Sequence, residues 1–98
     1  MPAYAVSLVN VTNADQYPEY AKRAGPAVAK HGGRFLARGG AKAIMEGDVP
    51  FARVVVVEFP TMEQAKAFYH SPEYQEARAH RLGAADFNMV IVDGFTPP

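Results

Sequence analysis

The sequence predicts an α+β fold with the element order β-α-β-β-α-β and an extra short helix before the last strand. Two observations support this prediction: runs of β-branched and aromatic residues without glycine or proline, and apolar stripes at helical spacing that begin at capping residues. The order is the ferredoxin-like arrangement, in which helices pack on a four-stranded antiparallel sheet. Ninety-eight residues are a common length for one domain, so we expect residues 1–98 to form a single domain.

The first strand and the first helix follow each other closely. Ala3–Val11 is rich in β-forming residues and contains no breaker. Thr12 or Asn13 is the predicted N-cap, and Gln16 would complete a capping box with Asn13. Pro18 predicts that the regular helix begins at that residue. Pro26 cannot donate a backbone hydrogen bond, so we expect a kink at that residue. A His-Gly-Gly run ends the helix, because glycine readily adopts the left-handed conformation.

The second and third strands are separated by a glycine-rich region. We predict a second strand at Arg34–Arg38, interrupted by Gly39-Gly40 and resumed at residues 43–46. A glycine pair inside a strand indicates a bulge, or a point at which another group approaches the backbone closely. Arg53–Phe59, with the sequence RVVVVEF, is the strongest strand signal of the chain.

The second half of the chain predicts two helices and a final strand. Thr61 and Gln64 form a capping box that opens the second helix. Ser71 is the predicted N-cap of the third helix, which has a proline at its first position and ends at Gly83. Residues 86–92, with the sequence DFNMVIV, form the last strand.

Both faces of the predicted sheet are apolar. Alternation along the third strand places large side chains on both sides, at Val54 and Val56 on one and at Val55, Val57 and Phe59 on the other. Two helices cover only one face, and each large apolar side chain removed from water contributes about 1.5–3 kcal/mol. We therefore expect a homodimer through the sheet faces. The alternative is that the third helix or the C-terminal tail covers the second face.

Composition excludes several classes of function. The chain has no cysteine, which rules out disulfides, thiolate metal sites and a cysteine nucleophile. Ten basic and ten acidic residues give no net charge, so we expect neither nucleic acid nor a membrane as a partner. The three histidines show no metal-ligand spacing, and we predict no metal and no cofactor. The N-terminus lacks a signal-peptide pattern and no apolar run approaches the roughly 20 residues that span a bilayer, so we expect a cytoplasmic protein.

The third helix carries the first candidate site. Tyr74, Arg78 and Arg81 are spaced at i, i+4 and i+7, so they share one face of the helix. His70 lies just before the N-cap. Two guanidinium groups and a phenol on one face can hold a carboxylate or phenolate ligand. The alternative is a solvated helix face whose arginines pair with neighbouring acids.

Two further candidates lie in the strands. Arg38, beside Gly39-Gly40 and followed by Glu46, can bind an anion together with backbone amides, or can be an exposed arginine at a bulge. Glu58 stands among valines, and on a buried face it would be a candidate general base. It can equally pair with Arg53 or Arg38 across the strands, or lie at the rim of the sheet.

Several short motifs together resemble the bacterial domain-of-unknown-function (DUF) 1330 family over essentially the whole chain. The motifs are Gly32-Gly33-Arg34-Phe35-Leu36, Arg38-Gly39-Gly40, Glu46-Gly47, Glu58-Phe59-Pro60 and Tyr69-His70-Ser71-Pro72-Glu73-Tyr74. The resemblance implies a member of the dimeric α+β barrel superfamily. That superfamily includes cofactor-free monooxygenases of polyketide aromatics, muconolactone isomerases, haem-binding members and ligand-binding domains of transcriptional regulators. The resemblance therefore implies an architecture and leaves the chemistry open.

The sequence is compatible with two functions. The first is an enzyme of the cofactor-free monooxygenase or isomerase type, acting on a small aromatic or carboxylate molecule. It predicts a ligand-sized, mostly apolar cavity between sheet and helices, with four side chains around it: Glu58, His70, Tyr74 and Arg78. The second is a non-catalytic module that binds a small ligand or a partner.

Overall fold

Four strands and three helices form the domain in the computed structural model, which describes residues 1–97. The elements are β1 (Ala3–Val11), α1 (Tyr17–Lys30), β2 (Arg34–Arg38), β3 (Arg53–Phe59), α2 (Met62–His70), α3 (Pro72–Arg81) and β4 (Ala85–Asp93). The strands pair antiparallel in the order β2-β3-β1-β4. The predicted ferredoxin-like α+β fold is therefore confirmed.

Local side-chain hydrogen bonds explain where the helices begin. The Oγ1 atom of Thr61 accepts from the backbone amide of Gln64 at 3.1 Å, and Ser71 Oγ accepts from the amide of Tyr74 at 3.1 Å. Asn13 forms the predicted hydrogen bond, since its Oδ1 accepts from the amide of Gln16 at 3.1 Å, but it also accepts from the amide of Asp15 and lies in the turn that precedes α1. Helix α1 consequently begins at Tyr17 rather than at the following proline.

The segment between β2 and β3 differs from the prediction. Residues 43–46 are not a strand, because β3 begins at Arg53 and leaves no partner for a longer β2. The register shift lies between Phe35 and Ala37, not at the glycine pair. The returning chain is held by Asn10 of β1, whose amide donates to the carbonyl of Pro50 and accepts from the amide of Ala52 at 2.7 Å.

The two faces of the sheet have different surroundings. The inner face packs under the helices, and Val9 and Phe59 are completely buried there. On the outer face Val6 of β1 pairs with Val56 of β3 and with Val90 of β4, which makes an apolar row across three strands. Val90 is 61% exposed. The predicted two-sided apolar character is thus present in the structure.

The third helix does not cover the outer face. Helix α3 packs against α1, on the helical side of the sheet. The chain after β4 bonds back to the N-terminus through Gly94, whose amide donates to the carbonyl of Pro2 at 2.7 Å, and Phe95 is 84% exposed. Within residues 1–97 no helix combines the length and the apolar character needed to cross a membrane.

Candidate functional site

A cleft lies between helix α3 and the inner face of the edge strand β4. We call it the β4 cleft, and it is lined by Tyr69, Arg78, Arg81, Phe87, Met89 and Ile91. Its volume is about 330 Å³, within the range of roughly 300–1,000 Å³ that small-molecule sites usually have. Alternation along β4 brings the three apolar side chains to this face, and the last turn of α3 supplies both arginines. A helix C-terminus favours positive charge, which is consistent with arginines there.

A second, narrower cavity lies between helix α1 and the middle of the sheet. We call it the inner pocket, and its volume is about 50 Å³. It is lined by Ala5, Ser7, Tyr17, Tyr20, Ala21, Ala24, Val28, Phe35, Arg38, Arg53, Val55, Val57, Phe68, Phe87 and Met89. Phe87 and Met89 line both cavities, so the inner pocket and the β4 cleft are neighbours.

Arg81 is the most deeply placed of the arginines around these cavities. It is only 7% exposed, and its guanidinium carbon lies 3.8 Å from the ring centroid of Phe87 and 5.4 Å from that of Tyr20. These cation–π contacts compensate part of the cost of burying the charge. The Nε atoms of Arg53, Arg78 and Arg81 are nevertheless buried without a hydrogen-bond partner among residues 1–97. Unpartnered buried donors are uncommon in folded proteins and call for an explanation.

Three of the ten acidic side chains form ion pairs in the described part of the chain, and none of the three lines either cavity. Glu19 pairs with Lys22 and Arg23, Lys30 pairs with Glu73, and Arg34 pairs with Glu58, all at the surface. Within the described part of the chain, no ion pair involves the four arginines that line the two cavities, namely Arg38, Arg53, Arg78 and Arg81. The cavities therefore carry positive charge that is not paired with any carboxylate of residues 1–97.

Three tyrosines stand beside these arginines. The hydroxyl groups of Tyr20 and Tyr74 are 3.0 Å apart and share a buried hydrogen bond. Burial raises the pKa of Tyr20 far above its ordinary value. Burial also raises the pKa of Tyr17, and the positive charges of Arg53, Arg81 and Arg38 oppose that rise. Both phenols are protonated near neutral pH, so the hydroxyl of Tyr17 can donate a hydrogen bond at the inner pocket.

The candidate residues from the third helix separate into two groups. Arg78 and Arg81 both line the β4 cleft, as residues on one helical face should. Tyr74 shares that face but is fully buried in the core and contacts Tyr20 and Phe68 instead. Tyr74 therefore packs behind residues that line the cavities and does not line either cavity itself.

The four residues expected around one cavity are not brought together. Glu58 lies on the outer face of the sheet, opposite Tyr4 and Arg34, and accepts from the Nε of Arg34 at 3.2 Å. His70 is exposed at the end of α2, and its ring packs edge-on against Tyr69 at 5.3 Å between centroids. The expected arrangement is therefore wrong for Glu58, because side chains alternate along a strand and Glu58 shares the face of Val54 and Val56.

Arg38 reaches the helical side of the sheet because of the irregularity in β2. The register shift pairs Phe35 with Val57 and Arg38 with Val55, so both residues face the inner pocket. The guanidinium of Arg38 stacks 4.0 Å from the centroid of the Phe35 ring and donates to the carbonyl of Ala21 at 3.3 Å. The side chain thus lies at the rim of the inner pocket.

Sequence reasoning missed Arg53 as a site residue. Arg53, Val55 and Val57 occupy alternate positions of β3, so their side chains point to the same face of the sheet. This alternation alone indicated that Arg53 faces the helices. Its guanidinium carbon lies 5.7 Å from the ring centroid of Tyr17. Tyr17 and Tyr69 were also missed as lining residues, because aromatic residues in a helical stripe are indistinguishable from core residues.

The described residues contain no cluster of three or more histidine and acidic side chains that could hold a metal ion. The groups available at both cavities are guanidinium, phenol and hydroxyl groups, with no carboxylate or imidazole among the lining residues of 1–97. Such a set binds and polarises anions and enolisable groups more readily than it removes protons.

A family model described as a domain of unknown function, DUF1330, matches residues 2–95. The chain belongs to the DUF1330 family. A search of curated proteins gives no match to this DUF1330 chain.

Solved structures with the same fold share little sequence with this DUF1330 protein. A protein of unknown function from Rhodopseudomonas palustris is 23% identical with a TM-score of 0.77, over 98% of this chain and 84% of its own. A dimeric ferredoxin-like protein of unknown function from Jannaschia sp. CCS1 is 12% identical with a TM-score of 0.76, over 96% of this chain and 100% of its own. SnoaB, a cofactor-independent oxygenase from Streptomyces nogalater, is 11% identical with a TM-score of 0.69, over 98% of this chain and 95% of its own. At these identities the similarity shows the fold.

Proposed function

We propose that this DUF1330 protein binds a small aromatic or carboxylate-bearing acid in the β4 cleft and acts on it as an enzyme of the cofactor-free monooxygenase or isomerase type. One observation carries the proposal. Four arginines line the two cavities and have no carboxylate partner among residues 1–97, while the remaining two arginines of the chain are paired at the surface. A bound anion would supply the missing partner.

The energetics favour an anionic ligand over a neutral one. A buried donor without an acceptor costs about 1–3 kcal/mol, and three guanidinium groups have a buried Nε without a partner in the described part of the chain. A carboxylate or phenolate accepts two parallel hydrogen bonds from one guanidinium and neutralises its charge. Phe87, Met89 and Ile91 form the apolar wall against which a ring or a short unsaturated chain would pack.

The proposed chemistry follows from the same groups. Guanidinium charges in a low-dielectric cavity stabilise the anionic form of a bound enol or phenol, so an acidic substrate loses its proton more readily there. The released proton passes to solvent water. The anion can then react with O2, one oxygen atom entering the product and the other leaving as water with the two hydrogens of the oxidised carbon, or it can take a proton from water at a different carbon. The similarity in fold to a cofactor-independent oxygenase from Streptomyces nogalater supports this class of reaction. The protonated phenol of Tyr17 is placed to donate a hydrogen bond to an acidic group of the ligand that reaches the inner pocket.

The protein is further proposed to work as a homodimer through the outer face of the sheet. The apolar row through Val6, Val56 and Val90 supports this, and structural neighbours from Jannaschia sp. CCS1 and Bacteroides fragilis are dimeric. Light scattering should give twice the chain mass at micromolar concentration. Val90→Asp should give a folded monomer, and Ala67→Asp on the exposed surface of α2 should leave the dimer intact. A wild-type monomer would contradict the proposal.

Calorimetric titration with benzoate, hydroxybenzoates and a polycyclic phenol tests ligand binding. At least one of these probes should bind, and Arg81→Gln should weaken that binding ten-fold or more. Arg34→Gln, which removes an arginine from the surface ion pair, is the matched control and should change the affinity less than two-fold. Unchanged affinity in Arg81→Gln, or no binding by any probe, would overturn the proposed site.

Turnover separates the enzyme from a second candidate, a non-catalytic ligand-binding module. The second candidate is favoured by the lack of a carboxylate or imidazole among the described lining residues. Oxygen uptake and proton NMR of the bound probes, recorded with a metal chelator present, should show oxidation or isomerisation if the protein is an enzyme. Tight binding with no change in any probe would favour the binding module.

A further inference from the structure

We infer that the ligand of this protein is a small diacid: an organic molecule with two acidic groups separated by a flat, apolar middle. The inference rests on the proposed function and names the substrate class more narrowly. It comes from the way in which the unpaired arginines are distributed between the two neighbouring cavities.

The positive charge is divided into two pairs. Arg78 and Arg81 line the β4 cleft, and Arg38 and Arg53 line the inner pocket. Both pairs include a guanidinium whose Nε is buried without a partner among residues 1–97. Each pair therefore presents its own unsatisfied anion-binding group.

The region shared by the two cavities is apolar. Phe87 and Met89 are the only side chains that line both of them within the described residues, and neither carries a charge or a hydrogen-bond donor. A ring or conjugated chain packs well against an aromatic face and a thioether. A ligand that spans the junction would thus place its apolar middle over these two residues and an acidic group on each side.

Charge balance disfavours a ligand with one acidic group. A monoacid bound at one pair would leave the other pair without a counter-charge, including a guanidinium group whose Nε atom is buried. Arg81 belongs to the pair in the β4 cleft but also faces the inner pocket, since its guanidinium group contacts Phe87, which lines both cavities, and Tyr20, which lines the inner pocket. Its charge also reaches the phenol of Tyr17, together with those of Arg53 and Arg38. A second acidic group would neutralise charge that the first cannot reach.

The volumes of the two cavities favour one orientation of the ligand. The β4 cleft, at about 330 Å³, has room for a ring and one acidic group, whereas the inner pocket has about 50 Å³. One water molecule requires about 10–15 Å³ of cavity volume, so the inner pocket has room for a few waters or for one carboxylate. The smaller end of the diacid therefore enters the inner pocket, and the ring remains in the β4 cleft.

Titration calorimetry of the full-length wild-type protein with three matched probes tests the inference. The probes are terephthalate, its monomethyl ester and benzoate, with a naphthalene dicarboxylate and its monoester as a longer pair. In at least one pair the diacid should bind ten-fold or more tightly than the monoester, which has the same ring and one charge fewer. Arg53→Gln and Arg81→Gln should each remove most of that difference, and Arg34→Gln should preserve it.

The outcomes distinguish this inference from the proposed function. If monoacids bind in an Arg81-dependent manner and every diacid binds no more tightly than its monoester, the diacid inference is wrong and the proposed function stands. If a diacid is preferred but Arg53→Gln leaves the preference intact, the second group does not enter the inner pocket and the inference is also wrong. If no acid binds at all, both fail. Circular dichroism of each variant separates a lost fold from a lost contact.

Discussion

The guanidinium group of Arg53 packs directly against the backbone of Gly39, where a Cβ atom would lie 2.7 Å from Nη2 of Arg53. Gly39 also has a φ angle of +74°, a conformation that costs other residues about 1–2 kcal/mol. We predict that Gly39→Ala lowers the free energy of unfolding by about that amount and also weakens acid binding several-fold. The second effect arises because the methyl group displaces Arg53 from the inner pocket. Urea denaturation and calorimetric titration measure the two effects separately.

Gly47 offers a matched control for this prediction. Its φ angle is +73°, but a Cβ atom there would contact nothing within 4 Å. Gly47→Ala should therefore cause a similar backbone strain without changing acid binding. If both variants weaken binding equally, backbone strain alone explains the effect, and the contact between Gly39 and Arg53 has no role in the site.

Arg78 should reduce the stability of the ligand-free protein. Its Nε is buried without a partner among the described residues, and methionine has a similar length and helix propensity. We predict that Arg78→Met raises the free energy of unfolding by about 1 kcal/mol and weakens acid binding, a trade between stability and function. Thermal melts with and without benzoate measure both changes. Arg23→Met, at a partly exposed surface ion pair, should change stability by less than about 0.5 kcal/mol; a larger gain there than at Arg78 would contradict the prediction.

Much of the fold could be predicted because its signals are local. The capping residues Thr61 and Ser71 form the predicted hydrogen bonds, and β1 and β3 have the predicted bounds. The register shift in β2 could not be predicted, since it depends on how β2 pairs with β3. It lies at Leu36, where no glycine marks it. Of the glycine pair that suggested a bulge, Gly39 instead makes room for Arg53.

The candidate site was harder to predict because it is formed across elements. The alternation of side chains along β3 was sufficient to place Arg53 on the inner face of the sheet and Glu58 on the outer face. The sequence neighbours of Glu58 are apolar, however, and suggested a buried acid. Helical spacing correctly grouped Arg78 with Arg81. It could not show that Tyr74, on the same face, would reach Tyr20 of another helix and become a core residue.

The hydrogen bond between Tyr20 and Tyr74 predicts a non-additive pair of substitutions. Removing either hydroxyl leaves the other buried without its partner, which costs about 1–3 kcal/mol. Tyr20→Phe and Tyr74→Phe should each destabilise the protein by this amount. The double variant should be destabilised by less than the sum, because it leaves neither hydroxyl unpaired. A double-mutant cycle from urea denaturation measures the coupling, and strict additivity would contradict the hydrogen bond.

The buried tyrosines predict unfolding in alkaline solution. Burial raises the pKa of Tyr20 in the folded protein, and in the unfolded chain a tyrosine ionises near pH 10. The unfolded state therefore releases this proton first as the pH rises. Stability due to Tyr20 is fully present below about pH 10 and decreases above it by about 1.4 kcal/mol per pH unit. Tyr20→Phe cannot ionise, so its free energy of unfolding should decrease less steeply than that of the wild type between pH 10 and 11.5. Denaturation curves at several pH values give the two slopes, and equal slopes would show that Tyr20 ionises alike in both states.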